Sequence, residues 1–113
     1  MPDLKLPDPL ARRHLMEGGL DPQKARAYGE AYLAAGREIE AVDFLAMADA
    51  KEALIALRTA AIERGDVFLM RSACGALGEE PTSATWSQLA EAAVAAGRER
   101  DVETARRLAK ATA

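Results

Sequence analysis

The chain has 113 residues, of which 50% are hydrophobic and 4% aromatic, and its formal net charge is −3. This length suits a single domain with a buried core, and because no segment is strongly basic, a surface for nucleic-acid phosphates is not expected. One cysteine excludes an internal disulfide framework and a Cys-rich metal site.

The chain contains no run approaching the roughly 20 apolar residues that a membrane-spanning helix needs. It also lacks the charged and then apolar leader of a secreted protein at its start. We therefore expect a soluble, cytoplasmic protein that makes no contact with a membrane.

Residues 1–20 form an N-terminal arm that differs from the rest of the chain. Residues 1–9 contain three prolines and should be extended or irregular. Asp8-Pro9 then resembles a helix start, and a short helix is predicted from Leu10 to Glu17, with Leu10 and His14 on one side. Gly18-Gly19 should end this helix. The arm either packs on the next hairpin or stays loose, and the sequence does not decide between the two.

The segment from Ala25 to Ala48 predicts two helices folded back on each other. Small or apolar residues recur with i, i+3, i+4, i+7 spacing in each half, which gives each helix one apolar face. Gly36 lies between the halves, where glycine can take the positive φ that reverses the chain. Asp21-Pro22 supplies a cap and a first-turn proline for the first helix.

Four further helices are predicted after this hairpin. Asp49 with Glu52 resembles a capping box at the start of a helix that should run to Arg64. The next helix, Val67 to Leu77, is apolar on most sides and should be buried.

Gly78 to Thr82 forms the clearest loop. Thr85 with Gln88 is the best of three candidate caps for the helix that follows. A last helix is predicted from about Glu99 to Ala111.

A repeat runs through residues 21–113. Gly36, Gly65 and Gly97 are separated by 29 and 32 residues, and Ala-Ala-Gly-Arg-Glu occurs at 34–38 and at 95–99. Gly36 is also followed by Ala41 and Ala48 at intervals of five and seven residues. In these features the chain resembles the tetratricopeptide repeat family. The resemblance implies an all-α fold, a stack of about three antiparallel helical hairpins (a TPR-like α-solenoid), preceded by the proline-rich arm and its short helix.

The resemblance also implies a protein–protein interaction scaffold that binds a partner protein or peptide in a concave groove. The first helix of each pair would line this groove, and we expect a partner segment that is apolar or basic. The candidate partner-binding residues from these helices are Arg26, Glu30, Leu33, Glu52, Ile55, Thr59, Ile62, Ser87 and Glu91. The alternative is a structural protein that self-associates into a homo-oligomer through its arm or an apolar end.

An enzyme is not expected, because no acid, base and nucleophile are grouped in the sequence. No catalytic, cofactor-binding or metal-ligating residue is therefore assigned, and no cofactor is expected. His14 has no nearby partner ligand, and Cys74 lies on an apolar helix where a buried thiol is the simpler interpretation. Tyr32 should belong to the core with its hydroxyl at the rim. Ile55 and Ile62 face either a groove or the core, and the sequence leaves this open.

Overall fold

The computed structural model describes residues 5–112, and within them the chain forms α-helices joined by short turns, with no strand. The predicted all-α class is confirmed for these residues. Residues 1–4 and 113 lie outside the described part, so the extended structure predicted for residues 1–9 concerns only Lys5 onward here. The helices are α1 (Pro9–Glu17), α2 (Pro22–Ala34), α3 (Glu38–Met47), α4 (Lys51–Arg64), α5 (Val67–Leu77), α6 (Ser83–Ala95) and α7 (Glu99–Thr112).

The chain divides into two compact units, one up to Leu54 and the other from Ile55 onward. In the first unit, α2 packs against α3. Tyr32 of α2 and Phe44 of α3 are fully buried, and their rings stack with centroids 5.4 Å apart. A Cβ on Gly29 would lie 2.8 Å from Leu45 Cδ2, so the missing side chain allows α2 and α3 to approach closely.

The N-terminal helix α1 contacts α3 in this unit. Arg12 Nη2 lies 2.7 Å from Asp43 Oδ2, which connects the arm to the first hairpin. None of the residues of α1 is fully buried; Ala11, Leu15 and Met16 are half-buried, and Leu10 is 64% exposed. Leu10 and His14, predicted to lie on one side of this helix, are both exposed.

In the second unit, α6 packs against α7, and α5 also contacts α7. The core contains Leu69 and Met70 from α5, Trp86 and Leu89 from α6, and Ala105 from α7. Large side chains thus come from α5 and α6, and α7 contributes small ones.

Helices α6 and α7 are joined by a hydrogen bond as well as by the turn between them. Ser83 Oγ, at the start of α6, donates a hydrogen bond of 2.8 Å to the carbonyl of Ala109 near the end of α7. Ala105 and Ala109 are buried on the inner face of α7, whereas Val102 and Leu108 are half-buried.

The three turn glycines have the predicted conformation. Gly36, Gly65 and Gly97 have φ values of 75°, 71° and 71°, in the left-handed region that glycine adopts without a Cβ clash. Gly65 is also constrained by packing, because a Cβ there would lie 2.3 Å from the backbone nitrogen of Ala93 in α6.

Two helix starts differ from the predictions. Thr82, not Thr85, caps α6 by accepting a hydrogen bond from the Thr85 backbone N–H. Thr85 lies within the first turn, so the box with Gln88 does not form the cap. Helix α4 begins at Lys51, and Asp49 has a φ of 52° in the preceding turn instead of the extended conformation of a capping residue. The caps at Asp8 and Asp21 are confirmed.

The predicted burial of α5 on most sides needs one correction. Val67, Leu69, Met70, Ala73 and Cys74 are buried, but the intervening Phe68 is 65% exposed. An apolar residue next to the core in sequence projects about 100° away from its neighbour on a helix, and nothing in this unit covers that direction.

Candidate partner-binding surface

Arg26 of α2 forms ion pairs with two other predicted residues of the first unit. Arg26 Nε lies 3.1 Å from Glu30 Oε1, and Arg26 Nη2 lies 2.9 Å from Glu52 Oε1. The pKa of Glu52 is lowered, first because its carboxylate accepts a hydrogen bond from its own backbone N–H at the start of α4 and then by Arg26. These three side chains are exposed, while Leu33 in the last turn of α2 is half-buried. This part of the surface is therefore an ion-paired cluster of one arginine and two glutamates that keeps one excess negative charge.

The predicted residues of the second unit lie on α4 and α6. Ile55 is 41% exposed and Thr59 is exposed, whereas Ile62 is half-buried. Ser87 and Glu91 of α6 are both exposed. The sequence left open whether these two isoleucines face a groove or the core. Ile55 is exposed to solvent, whereas Ile62 is half-buried.

Ile62 lines a cleft of about 280 Å³ at the end of α5 and the start of α6. Cys74 and Thr85 also line it, and an ion pair between Arg58 and Glu79 lies along it. Burial raises the pKa of the Cys74 thiol, so the thiol remains protonated at neutral pH. The interpretation of Cys74 as a buried thiol is confirmed. A protonated thiol is the weakly nucleophilic form, and the cleft presents hydroxyls, a carboxylate and apolar groups.

Two other apolar side chains are exposed, Val94 of α6 and Phe68 of α5. Val94 is 54% exposed and lines a cleft with Arg98 and Val102. It follows Glu91 by three residues, so the i, i+3 spacing places it on the same face of α6 as the predicted residues of that helix. For Phe68 the sequence held no such signal.

Comparisons of the chain with models of protein families, with curated proteins and with solved structures found no match. Within the part of the chain that the structure describes, no helix is long and apolar enough to cross a membrane. Residues 5–112 also contain no group of three or more His, Cys, Asp or Glu side chains positioned to hold a metal ion.

Proposed function

We propose that this chain is a non-catalytic protein–protein interaction scaffold built from TPR-like helical hairpins. Two antiparallel pairs, α2 with α3 and α6 with α7, and the left-handed turn glycines between successive helices support the hairpin repeat. In the tetratricopeptide repeat family the first helix of each pair lines a concave surface, and α2, α4 and α6 hold that place in the chain order here.

The observation that carries this proposal is the exposure of apolar side chains on first helices. Ile55 on α4 and Val94 on α6 are 41% and 54% exposed, although α4 and α6 bury Leu57 and Leu89 on their other faces. Exposed aliphatic groups beside polar neighbours such as Ser87 are typical of surfaces that bind a partner.

The charges of the surface favour an apolar or basic partner segment. Arg26 is the cation on α2 best placed to bind a carboxylate, and it is already paired with Glu30 and Glu52. A terminal carboxylate would have to displace one of these glutamates, whereas Glu91 on α6 is exposed and can receive a cation.

The proposal is tested by quantitative affinity capture with three forms of the chain. An Ile55→Glu, Val94→Glu variant changes the proposed surface, and Phe68→Glu is the control, since it places a charge at another exposed apolar position, on α5. Circular dichroism checks that each variant is helical.

Partners lost from the double variant and retained by the control are the expected result. Retention by both variants, or equal loss from both, would contradict the proposed surface.

Self-association through the arm is the second candidate, and the 64% exposure of Leu10 on α1 favours it. Light scattering of the chain and of a Leu10→Glu variant tests it. A dimer in the unmodified chain that dissociates in the variant is expected if the arm docks on a second copy. Monomers at all concentrations would exclude this candidate.

A further inference from the structure

Arg12 of α1 contacts polar and aromatic groups of α2 and α3. Its Nη2 atom lies 2.7 Å from Asp43 Oδ2 and 3.3 Å from the carbonyl oxygen of Glu40. Its guanidinium carbon is 5.4 Å from the centroid of the Phe44 ring and 6.0 Å from that of Tyr32. A carboxylate, a carbonyl and two aromatic rings together form the environment that recognises a guanidinium group.

The neighbouring charges leave Asp43 available to Arg12. Arg37 forms an ion pair with Glu40, and its guanidinium carbon lies 5.0 Å from the centroid of the Tyr32 ring. The pKa of Glu40 is lowered, chiefly by the hydrogen bond that Arg37 donates, so this carboxylate is charged and already engaged. Asp43, Phe44, Tyr32 and the Glu40 carbonyl are hereafter the arginine site.

Arg12 makes the polar contacts between α1 and this site. Ala11, Leu15 and Met16 are half-buried, no side chain of α1 is fully buried, and Arg13 pairs with Glu17 within the same helix. Arg12 Nε is itself buried without a hydrogen-bond partner among the described residues, so the internal ligand does not use all its donors.

A cleft of about 320 Å³ adjoins the arginine site. Pro7, Pro9 and Ile39 line it together with Arg12 and Asp43. Pro7 and Pro9 precede Arg12 in the chain, so the internal ligand itself places prolines beside the arginine site.

We propose that the arginine site recognises an arginine-bearing peptide segment of a partner protein, and that α1 occupies the site in cis as an intramolecular competitor. The charge and the two aromatic faces define the ligand as a guanidinium group, and Pro7 and Pro9 of the cis ligand favour a segment with prolines before its arginine. The arginine site is formed by residues of α2 and α3 and shares no residue with the first-helix surface proposed above. Release of α1 is the step that makes it available.

The experiment supplies the segment in trans to the full chain carrying Arg12→Ala. The probe is a fluorescein-labelled peptide of residues 5–17, followed by fluorescence anisotropy. Two variant peptides, Arg12→Ala and Arg13→Ala, have the same net charge and differ only in which arginine is lost.

We expect the Arg12→Ala chain to bind the native and Arg13→Ala peptides equally and the Arg12→Ala peptide about tenfold more weakly. The unmodified chain should bind the native peptide about tenfold more weakly than the Arg12→Ala chain, since its own arm competes. Equal weakening by the two peptide variants would overturn the proposal, because the interaction would then be one of general charge. Absence of binding to the Arg12→Ala chain would overturn it as well.

A second variant covers the case in which the Arg12→Ala chain does not fold. Asp43→Asn changes an exposed side chain and should speed amide hydrogen exchange in α1 while leaving α2 unchanged; unchanged exchange in α1 would refute the cis contact. Light scattering of the Arg12→Ala chain mixed with the unmodified chain tests whether the arm of a second copy, rather than a partner protein, occupies the site. A mixed dimer would assign the site to the arm of a second copy and overturn the assignment to a partner protein.

Discussion

Gly65 has a left-handed backbone conformation and a close packing contact. Gly97 has the same backbone conformation without the contact. Gly65 and Gly97 both have a φ of 71°. An added Cβ at Gly65 would lie 2.3 and 2.4 Å from the backbone nitrogen and Cα of Ala93, whereas at Gly97 it would meet nothing within 4 Å. Alanine substitutions at the two sites therefore separate the backbone cost from the packing cost.

Gly97→Ala should cost about 1–2 kcal/mol, the cost of the left-handed conformation for an L-residue with a side chain. Gly65→Ala adds an overlap with backbone atoms that cannot rotate away, which is worth roughly 1–3 kcal/mol more. The expected total at Gly65 is thus about 2–5 kcal/mol, a large part of the stability of a domain of this size.

Urea unfolding followed by circular dichroism measures both free energies of unfolding under the same conditions. Gly65→Ala should lower the unfolding midpoint clearly more than Gly97→Ala does. Equal losses in the two variants would refute the reasoning, because the contact between the turn and α6 would then contribute nothing beyond the φ requirement.

Substitutions at three other positions test separate features of the structure. Tyr32→Phe removes a hydroxyl that is buried without a partner among residues 5–112, so urea unfolding should show unchanged stability or a gain of up to about 1 kcal/mol. Asp66 caps α5 by accepting from the Leu69 N–H, so Asp66→Ala should cost about 1 kcal/mol in the same assay and Asp66→Asn clearly less. Cys74 has a raised pKa, so the folded state holds the thiol proton more tightly than the unfolded state. The stabilisation from the protonated thiol is fully present below about pH 8.5 and is lost as the pH rises through the folded-state pKa. Stability should therefore fall above that pH more in the unmodified chain than in Cys74→Ala.

Features that depend on a few neighbouring residues could be predicted from the sequence. Asp8 and Asp21 act as caps, and Gly36 and Gly97 reverse the chain, because the backbone conformations involved are set locally. Thr82 and Thr85 show the limit of such reasoning. Both residues suit a cap, and the choice between them depends on where the backbone leaves the loop, which the α6–α7 packing helps to fix.

Contacts between distant residues could not be predicted. Arg26 and Glu52 are 26 positions apart, and Arg12 and Asp43 are 31 apart, so no periodicity within one helix connects them. The exposure of Phe68 has the same origin, because a helix that is apolar on most sides does not specify which side its neighbours will cover. The sequence identifies the face of α4 that holds Ile55 and Ile62. It does not show that Ile62 is half-buried, because Ile62 lines a cleft with residues of the loop after α5.

The small side chains of the core make the mutational tolerance of this chain asymmetric. Among residues 5–112, nine of the 21 buried apolar residues are alanines, including Ala93, Ala105 and Ala109. A buried alanine has one methyl group to lose, so the large cavities that destabilise leucine-rich cores cannot arise at these positions. It has many larger replacements, and each must separate two closely packed helices to fit. An upper limit on side-chain volume therefore restricts substitution at these sites. The sequence of the chain should diverge mainly on its exposed helix faces.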